Sequence, residues 1–380
     1  MNSFIYSYPT TQYFGKGAAK KAFDAELSKY GRKVMLAYGG GSIKKTAIYN
    51  EIVNLLKCAG KEIIVFSGIM PNPTYVKVQE GARLVKENNV NFILAVGGGS
   101  VIDCCKIISS QACTEEDIWE MEFSKGRLPV SQIPMGAVVT ASGTGAVITN
   151  EEKNIKTGVF GAHYDFAVLD PEYTLSLSMK QVVSGAFDTL FHCMETYFGT
   201  GGEYNLSDDI NEAVMKNTIR NIRAVMSDYN DITARGELMW ASAMGENGIL
   251  KIGKITDFQA HQIEHQLGAY TNCNHGQGLA VIQPVLYRHI YECNIKKFAR
   301  FAVNVWGIEK ESKSDSELAS AGIRALEDFI KEIGLPTSFS EMNIDKNTDL
   351  KTIADSTNIT EGCCKKLTHE EILEILKECL

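Results

Sequence analysis

Short apolar runs alternate with amphipathic segments along the first 178 residues. The strand-like runs lie at 33–38, 62–68, 91–96, 128–141 and 166–174. The segments at 46–60, 74–89 and from 101 onward repeat apolar positions at helical spacing, and Gly60 is placed to end the first of them. Buried strands that alternate with helices predict a parallel sheet covered on both faces.

The pattern changes near residue 178, after which helical periodicity dominates and strand signals are few. The helical segments lie at 178–198, 208–229, 232–251 and 317–334, and Ser207 or Asp208 is a candidate N-cap for the second. We therefore predict an α/β domain over 1–178 and an all-helical domain over 179–380. Because no proline- or serine-rich linker separates them, we expect a tight junction with a cleft, a common place for a ligand.

Composition narrows the class of protein. A chain of 380 residues with 44% hydrophobic and 22% charged residues is typical of a two-domain globular protein. A net charge of −8 argues against nucleic-acid and anionic-membrane partners. There is no apolar run of membrane-spanning length and no signal-peptide pattern at the N-terminus. The ten cysteines are irregularly placed without a CxxC, which favours reduced thiols in the cytoplasm.

Two glycine-rich loops each follow a predicted strand and precede a predicted helix. They comprise Gly39, Gly40, Gly41 and Ser42, and then Gly97, Gly98, Gly99 and Ser100. Glycines there let the backbone approach a phosphate closely, and a helix N-terminus adds amide donors. Either loop alone could be only a tight turn, because neither is a GxGxxG fingerprint or a P-loop. Two on one parallel sheet favour a dinucleotide.

The first of these loops also bears on the choice of nicotinamide cofactor. An acidic side chain after a strand typically holds the ribose 2′-hydroxyl of NAD. Here the sequence is GGGSIKK, which offers a hydroxyl, open amides, Lys44 and Lys45. This loop would accept a 2′-phosphate, so we predict NADP(H) in preference to NAD(H).

Three of the seven histidines are crowded into one short segment. His261 and His265 are four residues apart, and His275 follows within the same stretch. Asp188 and His192 are also four residues apart, in another apolar helix, so each pair shares a helix face. The helix that carries His261 and His265 is expected to be broken by Gly268, Gly276 and Gly278. The chain would then turn back and bring His275 close to the other donors.

These five donors suit a divalent metal such as Fe(II), Zn(II) or Co(II), because they supply nitrogen and oxygen without thiolate. Cys273 is a less favoured ligand. The alternative is that Asp188–His192 is an ordinary helical ion pair and that the other histidines are structural. His163, His289 and His369 lack such neighbours and are expected to be structural or exposed.

The motifs together are similar to those of a known family. They are YFGKGA, YGGGSIKKTAIYNEI, PNPTY, AVGGGSVIDCCK, FAVLDPEYT, GAFDTLFHCMETY and the segment 261–280. Over nearly its whole length the chain resembles the iron-dependent (group III) alcohol dehydrogenases, within the branch of butanol dehydrogenases and aldehyde reductases. The resemblance implies a Rossmann-like N-terminal domain and a helical C-terminal domain, the dehydroquinate-synthase-like fold.

The resemblance also implies specific roles for residues. The metal ligands would be Asp188, His192, His261 and His275, holding Fe(II) or, after purification, Zn(II). His265 would either support the metal ligands without binding the metal itself or relay a proton near the nicotinamide. Gly97–Ser100 and Asp103 would hold the pyrophosphate, with four further residues nearby, namely Asn72, Thr140, Thr144 and Lys156. Relatives often dimerise, so a homodimer is expected.

One motif departs from the family pattern. Relatives usually carry Thr-Gly-Ser-Glu where this chain has Thr144, Gly145, Ala146 and Val147. A hydroxyl and a carboxylate beside the cofactor are therefore lost, whereas all four implied metal ligands are present.

The resemblance predicts reversible hydride transfer between NADP(H) or NAD(H) and a primary alcohol or aldehyde, such as butanol or butyraldehyde. Apolar residues around Asp188 and His275 favour aliphatic or simple aromatic substrates over sugar phosphates. One alternative is a metal-dependent lyase of the dehydroquinate-synthase-like type, although Lys and Arg are scarce around the histidines. The other is a non-catalytic NADP(H) sensor, for which the altered TGAV motif leaves room.

Overall fold

The computed structural model describes residues 3–141, 147–158, 161–200, 205–362 and 364–380. The chain divides into two compact units. One is Tyr8–Ser178, and the other combines Met179–Leu380 with residues 3–7. Residues 3–7 were expected in the α/β unit, because so short a segment has no periodicity that would assign it elsewhere.

The α/β unit contains eight strands within its described residues. They are β1 (Thr11–Phe14), β2 (Lys33–Tyr38), β3 (Glu62–Phe66), β4 (Phe92–Gly97), β5 (Met135–Val139), β6 (Val147–Asn150), β7 (Ile155–Gly158) and β8 (Phe166–Leu169). Six of them form a parallel sheet in the order β1-β8-β5-β4-β2-β3. Strands β6 and β7 form a separate antiparallel pair.

Four helices accompany this sheet. They are α1 (Ala18–Glu26), α2 (Ile48–Cys58), α3 (Tyr75–Asn88) and α4 (Gly99–Gln111). Helix α2 has Ala59 as its C-cap, and Gly60 follows with φ +70°, the left-handed conformation that ends many helices. A π-helical turn at Glu120–Ser124 lies between α4 and β5.

The sheet is buried on both faces, as the apolar runs predict. In β2, Met35 and Ala37 join one hydrophobic cluster, and Val34 and Leu36 join the cluster on the opposite face. The chain leaves β2 for β3 on one side and returns for β4 on the other side. The strand order therefore reverses between β2 and β4, and ligands of open α/β sheets bind at such a switch point.

The regular structure described in the second unit consists of helices and one isolated bridge between Thr200 and Ile255, with irregular segments such as 335–349 between helices. Its helices are α5 (Met179–Tyr197), α6 (Leu206–Ser227), α7 (Ile232–Glu246), α8 (Gln259–Thr271), α9 (His275–Ile290), α10 (Ile295–Asn304), α11 (Asp315–Glu332), α12 (Leu350–Ser356) and α13 (His369–Glu378). The predicted fold class, an α/β unit followed by a helical unit, is confirmed.

The predicted N-cap of α6 is wrong. Asn205 caps this helix by accepting a hydrogen bond from the backbone N–H of Asp208, whereas Ser207 and Asp208 lie inside the first turn. Asp208 is instead fully buried and pairs with Lys254 and Lys297. Its tertiary partners explain why a residue suited to capping lies within the helix. Of the helices that the structure describes, none has the length and apolarity that crossing a bilayer requires.

Candidate metal centre and cofactor-binding loops

Four side chains from three helices converge in the interior of the helical unit. Asp188 and His192 lie one turn apart on α5, whose residues 186–197 are all buried. His261 lies on α8, and His275 is the first residue of α9. The structure therefore brings together the four residues predicted as metal ligands.

One carboxylate oxygen lies at the centre of this group. Asp188 Oδ1 is 3.6 Å from His192 Nε2, 3.7 Å from His261 Nε2 and 3.5 Å from His275 Nε2. The Nε2 atoms of His192 and His261 are 3.1 Å apart. The donor atoms of Asp188, His261 and His275 all lie within 4.8 Å of one another, and His192 adjoins this group through Asp188 and His261.

Three glutamates that were not predicted from the sequence contact the opposite nitrogens of the same imidazoles. Glu246 contacts Nδ1 of His192, Glu195 contacts Nδ1 of His261, and Glu264 contacts Nδ1 of His275. We call Glu195, Glu246 and Glu264 the orienting glutamates. A signal was present, since Glu195 and Glu264 each lie within an apolar helix and are fully buried.

The turn between α8 and α9 does not form as predicted. Gly268 lies within α8, and Gly276 lies within α9. The break comes at Asn272, which adopts a left-handed conformation with φ +52°, and at Asn274, which caps α9. Asn274 also accepts a hydrogen bond from Ser184 Oγ on α5 at 2.8 Å, which fixes the start of α9 beside Asp188.

The glycines of α9 serve close packing instead of chain reversal. A Cβ atom on Gly276 would lie 2.5 Å from Ser184 Oγ and 2.6 Å from the Ser184 carbonyl oxygen. A Cβ atom on Gly278 would lie 2.7 Å from Glu264 Cγ. Both positions therefore require glycine for α9 to approach α5 and α8.

His265 lies beside the cluster without joining the oxygen-centred group. Its ring stacks on that of His275 at 5.6 Å and meets that of His261 at 6.0 Å. Together with Glu264 and His275 it forms a second group of donor atoms within metal-binding range of one another. Cys273 Sγ lies 3.8 Å from Glu264 Oε1 and belongs to neither donor group.

The other histidines have different neighbours. His163 is exposed, His289 pairs with Glu378 at 2.7 Å, and His369 contacts the carbonyl oxygen of Thr357 at 3.2 Å. These contacts agree with the expectation that they are structural or exposed.

Two residues of the cluster, Asp188 and His261, have pKa values that favour their charged forms. Burial alone would raise the pKa of Asp188, but His192, His261 and His275 lower it to about 2. Burial alone would lower the pKa of His261, but the carboxylates of Glu195 and Asp188 raise it to about 10. The pKa of Glu246 is lowered by His192 and Lys251 despite burial. Such an anionic surrounding attracts a cation.

The two glycine-rich loops lie on either side of the switch point in the α/β unit. Tyr38 and Val96 are register partners on β2 and β4, and a loop begins just beyond each of them. The second loop leads directly into α4, as predicted. The first leads into a short 3-10 turn at Ser42–Lys45 and then into α2, so it too precedes a helix. Gly41, with φ +97°, sets that turn.

Space is limited at the second loop, whereas a Cβ atom on Gly40 or Gly41 of the first loop would have no neighbour within 4 Å. A Cβ atom on Gly97 would lie 2.6 Å from Val101 Cγ2, and one on Gly98 would lie 3.0 Å from the Cβ of Ala141. Lys44 lies over the rings of Tyr38 and Tyr49 at 5.1 and 5.2 Å, and both Lys44 and Lys45 are exposed.

The remaining predicted cofactor residues occupy neighbouring positions in the same unit. The Thr140 N–H donates to the Gly97 carbonyl oxygen at 2.9 Å, and Asp103 is a buried residue of α4. Asn72 adopts a left-handed conformation with φ +51°, directly before Pro73.

The antiparallel pair of β6 and β7 carries a further predicted cofactor residue, Lys156. The Thr149 N–H donates to the Pro73 carbonyl oxygen at 3.0 Å, and Lys156 is the register partner of Thr149. Lys156 is buried. Thr144 and Ala146 lie outside the described residues.

Family models match nearly the whole chain. Residues 9–171 match the iron-containing alcohol dehydrogenases, and residues 182–380 match the C-terminal region of the same family. The NADH-dependent butanol dehydrogenase A of Clostridium acetobutylicum is 36% identical over the full length of both chains. The NADPH-dependent aldehyde reductase YqhD of Escherichia coli is 34% identical over 91% of this chain and 90% of its own.

A solved structure gives the same assignment. The NADH-dependent butanol dehydrogenase A of Thermotoga maritima superposes with a TM-score of 0.93 at 32% identity, covering 100% of this chain and 99% of that one. The family resemblance inferred from the motifs is thereby confirmed. The chain belongs to the iron-containing alcohol dehydrogenase family, within the branch of butanol dehydrogenases and aldehyde reductases.

Proposed function

We propose that this protein is a metal-dependent alcohol dehydrogenase that interconverts a primary alcohol and its aldehyde using a nicotinamide cofactor. The observation that carries the proposal is the meeting of three imidazole Nε2 atoms around Asp188 Oδ1. The relatives described above, which are named as butanol dehydrogenases and an aldehyde reductase, support butanol and butyraldehyde as test substrates.

The donor set fits a divalent metal ion. Asp188 Oδ1 is buried and has no hydrogen-bond partner within the described part of the chain, so its lone pairs are available to an ion. Three imidazoles and one carboxylate suit Fe(II) or Zn(II). We assign Asp188, His192, His261 and His275 as the ligands. Such an ion supplies a Lewis acid for a carbonyl oxygen.

His265 is the residue that we propose for proton delivery to the product alkoxide. It is 5% exposed and stacks on His275, so it lies next to a proposed ligand without occupying a ligand position. Histidine is suited to this role because its ordinary pKa lies near neutrality.

The α/β unit is proposed to bind the cofactor at its switch point. The residues are those of the two glycine-rich loops, Gly39–Ser42 and Gly97–Ser100, together with Asn72, Asp103, Thr140, Thr144 and Lys156. Relatives differ in their cofactor, since the C. acetobutylicum enzyme is named for NADH and the E. coli enzyme for NADPH. Lys44, Lys45 and the lack of an acidic residue in the first loop favour NADP(H) here.

The alternatives are less well supported. A lyase acting on a phosphorylated acid needs a basic cluster, and the orienting glutamates make the surroundings of the imidazoles acidic instead. A sensor without catalysis has no need of the complete donor set around Asp188.

A homodimer in the cytoplasm is also proposed. Strand β1 is an edge of the six-stranded sheet, and an edge strand can pair with its symmetry mate in a second copy. None of the nine described cysteines forms a disulfide, which agrees with a reducing compartment. Light scattering during gel filtration measures the mass, and a mass near 41.9 kDa would contradict the dimer.

The function is tested anaerobically. Metal-stripped protein is reloaded with Fe(II) or Zn(II), and the oxidation of NADPH and NADH is followed with butyraldehyde as substrate. Metal-dependent turnover that is faster with NADPH supports both the metal centre and the cofactor preference. No turnover with either ion, despite measurable NADPH binding, would contradict the proposed activity.

A further inference from the structure

Each imidazole of the proposed metal centre has a carboxylate next to its Nδ1 atom, the nitrogen that does not face Asp188. The three pairs are His192–Glu246, His261–Glu195 and His275–Glu264, and in each pair the contact is made through Nδ1. The glutamate side chains of Glu195 and Glu264 are fully buried, and that of Glu246 is 23% exposed. The three glutamates come from different helices, namely α5, α7 and α8.

This arrangement determines which nitrogen can bind a metal. A neutral imidazole carries one N–H, and a carboxylate can only accept a hydrogen bond. Glu195 and Glu264 hydrogen-bond the Nδ1 atoms of His261 and His275, so they place the proton there and leave the lone pair on Nε2. Glu246 forms an ion pair with Nδ1 of His192 without the geometry of a hydrogen bond. In all three histidines it is the Nε2 atom that faces Asp188 Oδ1, at 3.5 to 3.7 Å.

The Glu264–His275 pair has an additional requirement. Gly278 lies one helical turn after His275 on α9, and its missing side chain leaves room for the aliphatic part of Glu264. A Cβ atom there would lie 2.7 Å from Glu264 Cγ, closer than real Cβ atoms approach, and 3.2 Å from Oε1. An alanine at 278 would have to displace the carboxylate that holds His275.

We propose that Glu195 and Glu264 are positioning residues that fix the metal-binding tautomer and ring orientation of His261 and His275. Glu246 is the residue that positions the ring of His192 through its ion pair, and Gly278 makes room for Glu264. This inference rests on the proposed function, because it assumes that the three histidines are metal ligands. The orienting glutamates act through the histidines and need not touch a substrate.

Glu264 provides the clearest test of the three. Glu195 also accepts hydrogen bonds from the N–H groups of Ala260 and His261, at 2.7 and 3.2 Å, so its loss would loosen the start of α8. Glu246 also pairs with Lys251 at 3.1 Å. Changing Glu264 instead removes a carboxylate from the side of His275 without removing a helix cap.

The experiment is a Co(II) titration of metal-stripped protein, followed by the visible absorption of the bound ion. Glu264→Ala is expected to lower Co(II) affinity by about 10- to 100-fold, the usual effect of losing such a partner. Glu264→Gln, whose amide oxygen can still accept from Nδ1, is expected to retain an intermediate affinity. Gly278→Ala is expected to weaken binding and to alter the absorption bands, because His275 would be displaced.

Matched controls separate positioning from general loss of stability. Glu212 is a buried glutamate of the same unit that binds Tyr197 and Arg300, and Gly322 is a helical glycine whose Cβ atom would lie 2.9 Å from the Cβ of Ala302. Glu212→Gln and Gly322→Ala should lower the free energy of unfolding of the metal-free protein. They should leave the Co(II) affinity and spectrum unchanged.

The outcomes distinguish this inference from the function on which it rests. If wild-type protein binds no Co(II), the proposed metal centre itself is wrong. If wild type binds and His275→Ala does not, while Glu264→Ala binds as tightly as wild type, the positioning role is wrong and the metal centre stands. If Gly278→Ala affects only stability, as Gly322→Ala is expected to, the role of Gly278 is wrong.

Discussion

His192 and His261 meet nitrogen to nitrogen, with their Nε2 atoms 3.1 Å apart in the interior of the helical unit. Two lone pairs at that distance repel each other unless a cation or a proton lies between them. A proton in a hydrogen bond between the two rings accounts for this distance in the metal-free protein. A bound cation would have to replace that proton.

Removal of a proposed ligand should abolish metal-dependent turnover. His261→Ala deletes one of the four donors, so we expect kcat/KM to fall by more than ~100-fold. This loss is larger than the one expected from removing a residue that only hydrogen-bonds a metal ligand. Metal content by elemental analysis and rates with butyraldehyde measure the effect. His289→Ala, which breaks only an exposed pair with Glu378, should behave as wild type. Near-normal turnover of His261→Ala would refute the ligand assignment.

His265 should matter for the reaction more than for metal binding. His265→Gln removes the proposed proton donor while keeping a polar side chain, so we expect kcat to fall by about 100-fold. The amount of bound metal should remain close to that of wild type. A variant that loses the metal together with activity would indicate that His265 is itself a ligand.

The first glycine-rich loop should determine the cofactor preference through its lysines. Lys45→Ala removes an exposed positive charge, so we expect kcat/KM for NADPH to fall about tenfold while that for NADH changes little. Lys57→Ala, at the far end of α2, serves as the matched control. Equal losses with both cofactors would show that Lys45 does not recognise the 2′-phosphate.

Stability should depend on pH through Lys254, which is buried beside Asp208 and Lys297. Burial and the second lysine lower the pKa of Lys254 from 10.5 to about 8. Between these values the unfolded chain binds the proton more strongly than the folded protein. The free energy of unfolding should therefore rise with pH from about 8, by at most ~3 kcal/mol from this residue.

Urea denaturation at pH 8.0 and 9.5 measures this dependence. Lys254→Met retains the Lys297–Asp208 pair, so it should show a smaller increase with pH than wild type. The same increase in both proteins would assign the effect to other groups.

The sequence predicted the strands and helices whose burial is uniform along their length. Strand β2 was predicted at its observed bounds because each of its residues after Lys33 is buried. Strand β1 and the β6–β7 pair were missed because they are short and only partly buried, and tertiary pairing holds them in place. The N-cap at Asn205 was missed because Ser207 and Asp208 are equally good capping residue types.

The candidate site could be predicted only where its residues are spaced about one helical turn apart. Asp188 with His192, and His261 with His265, are recognisable as pairs on one helix face. The partner of Glu195 was not recognisable, because Glu195 lies three residues after His192 yet contacts His261, 66 positions away. Only packing decides which imidazole a buried carboxylate meets.

The donor set links helices that are far apart along the chain, since His192 and His261 are separated by 69 positions. A metal bound there acts as a crosslink, which limits the independent opening of α5, α8 and α9. Binding to the folded state alone raises its stability by RT ln(1 + [M]/Kd), about 4 kcal/mol at a thousandfold excess over Kd. If the ion binds there as proposed, chelation should expose this part of the chain to proteases. The supply of metal in the cell would then influence the lifetime of the protein as well as its activity.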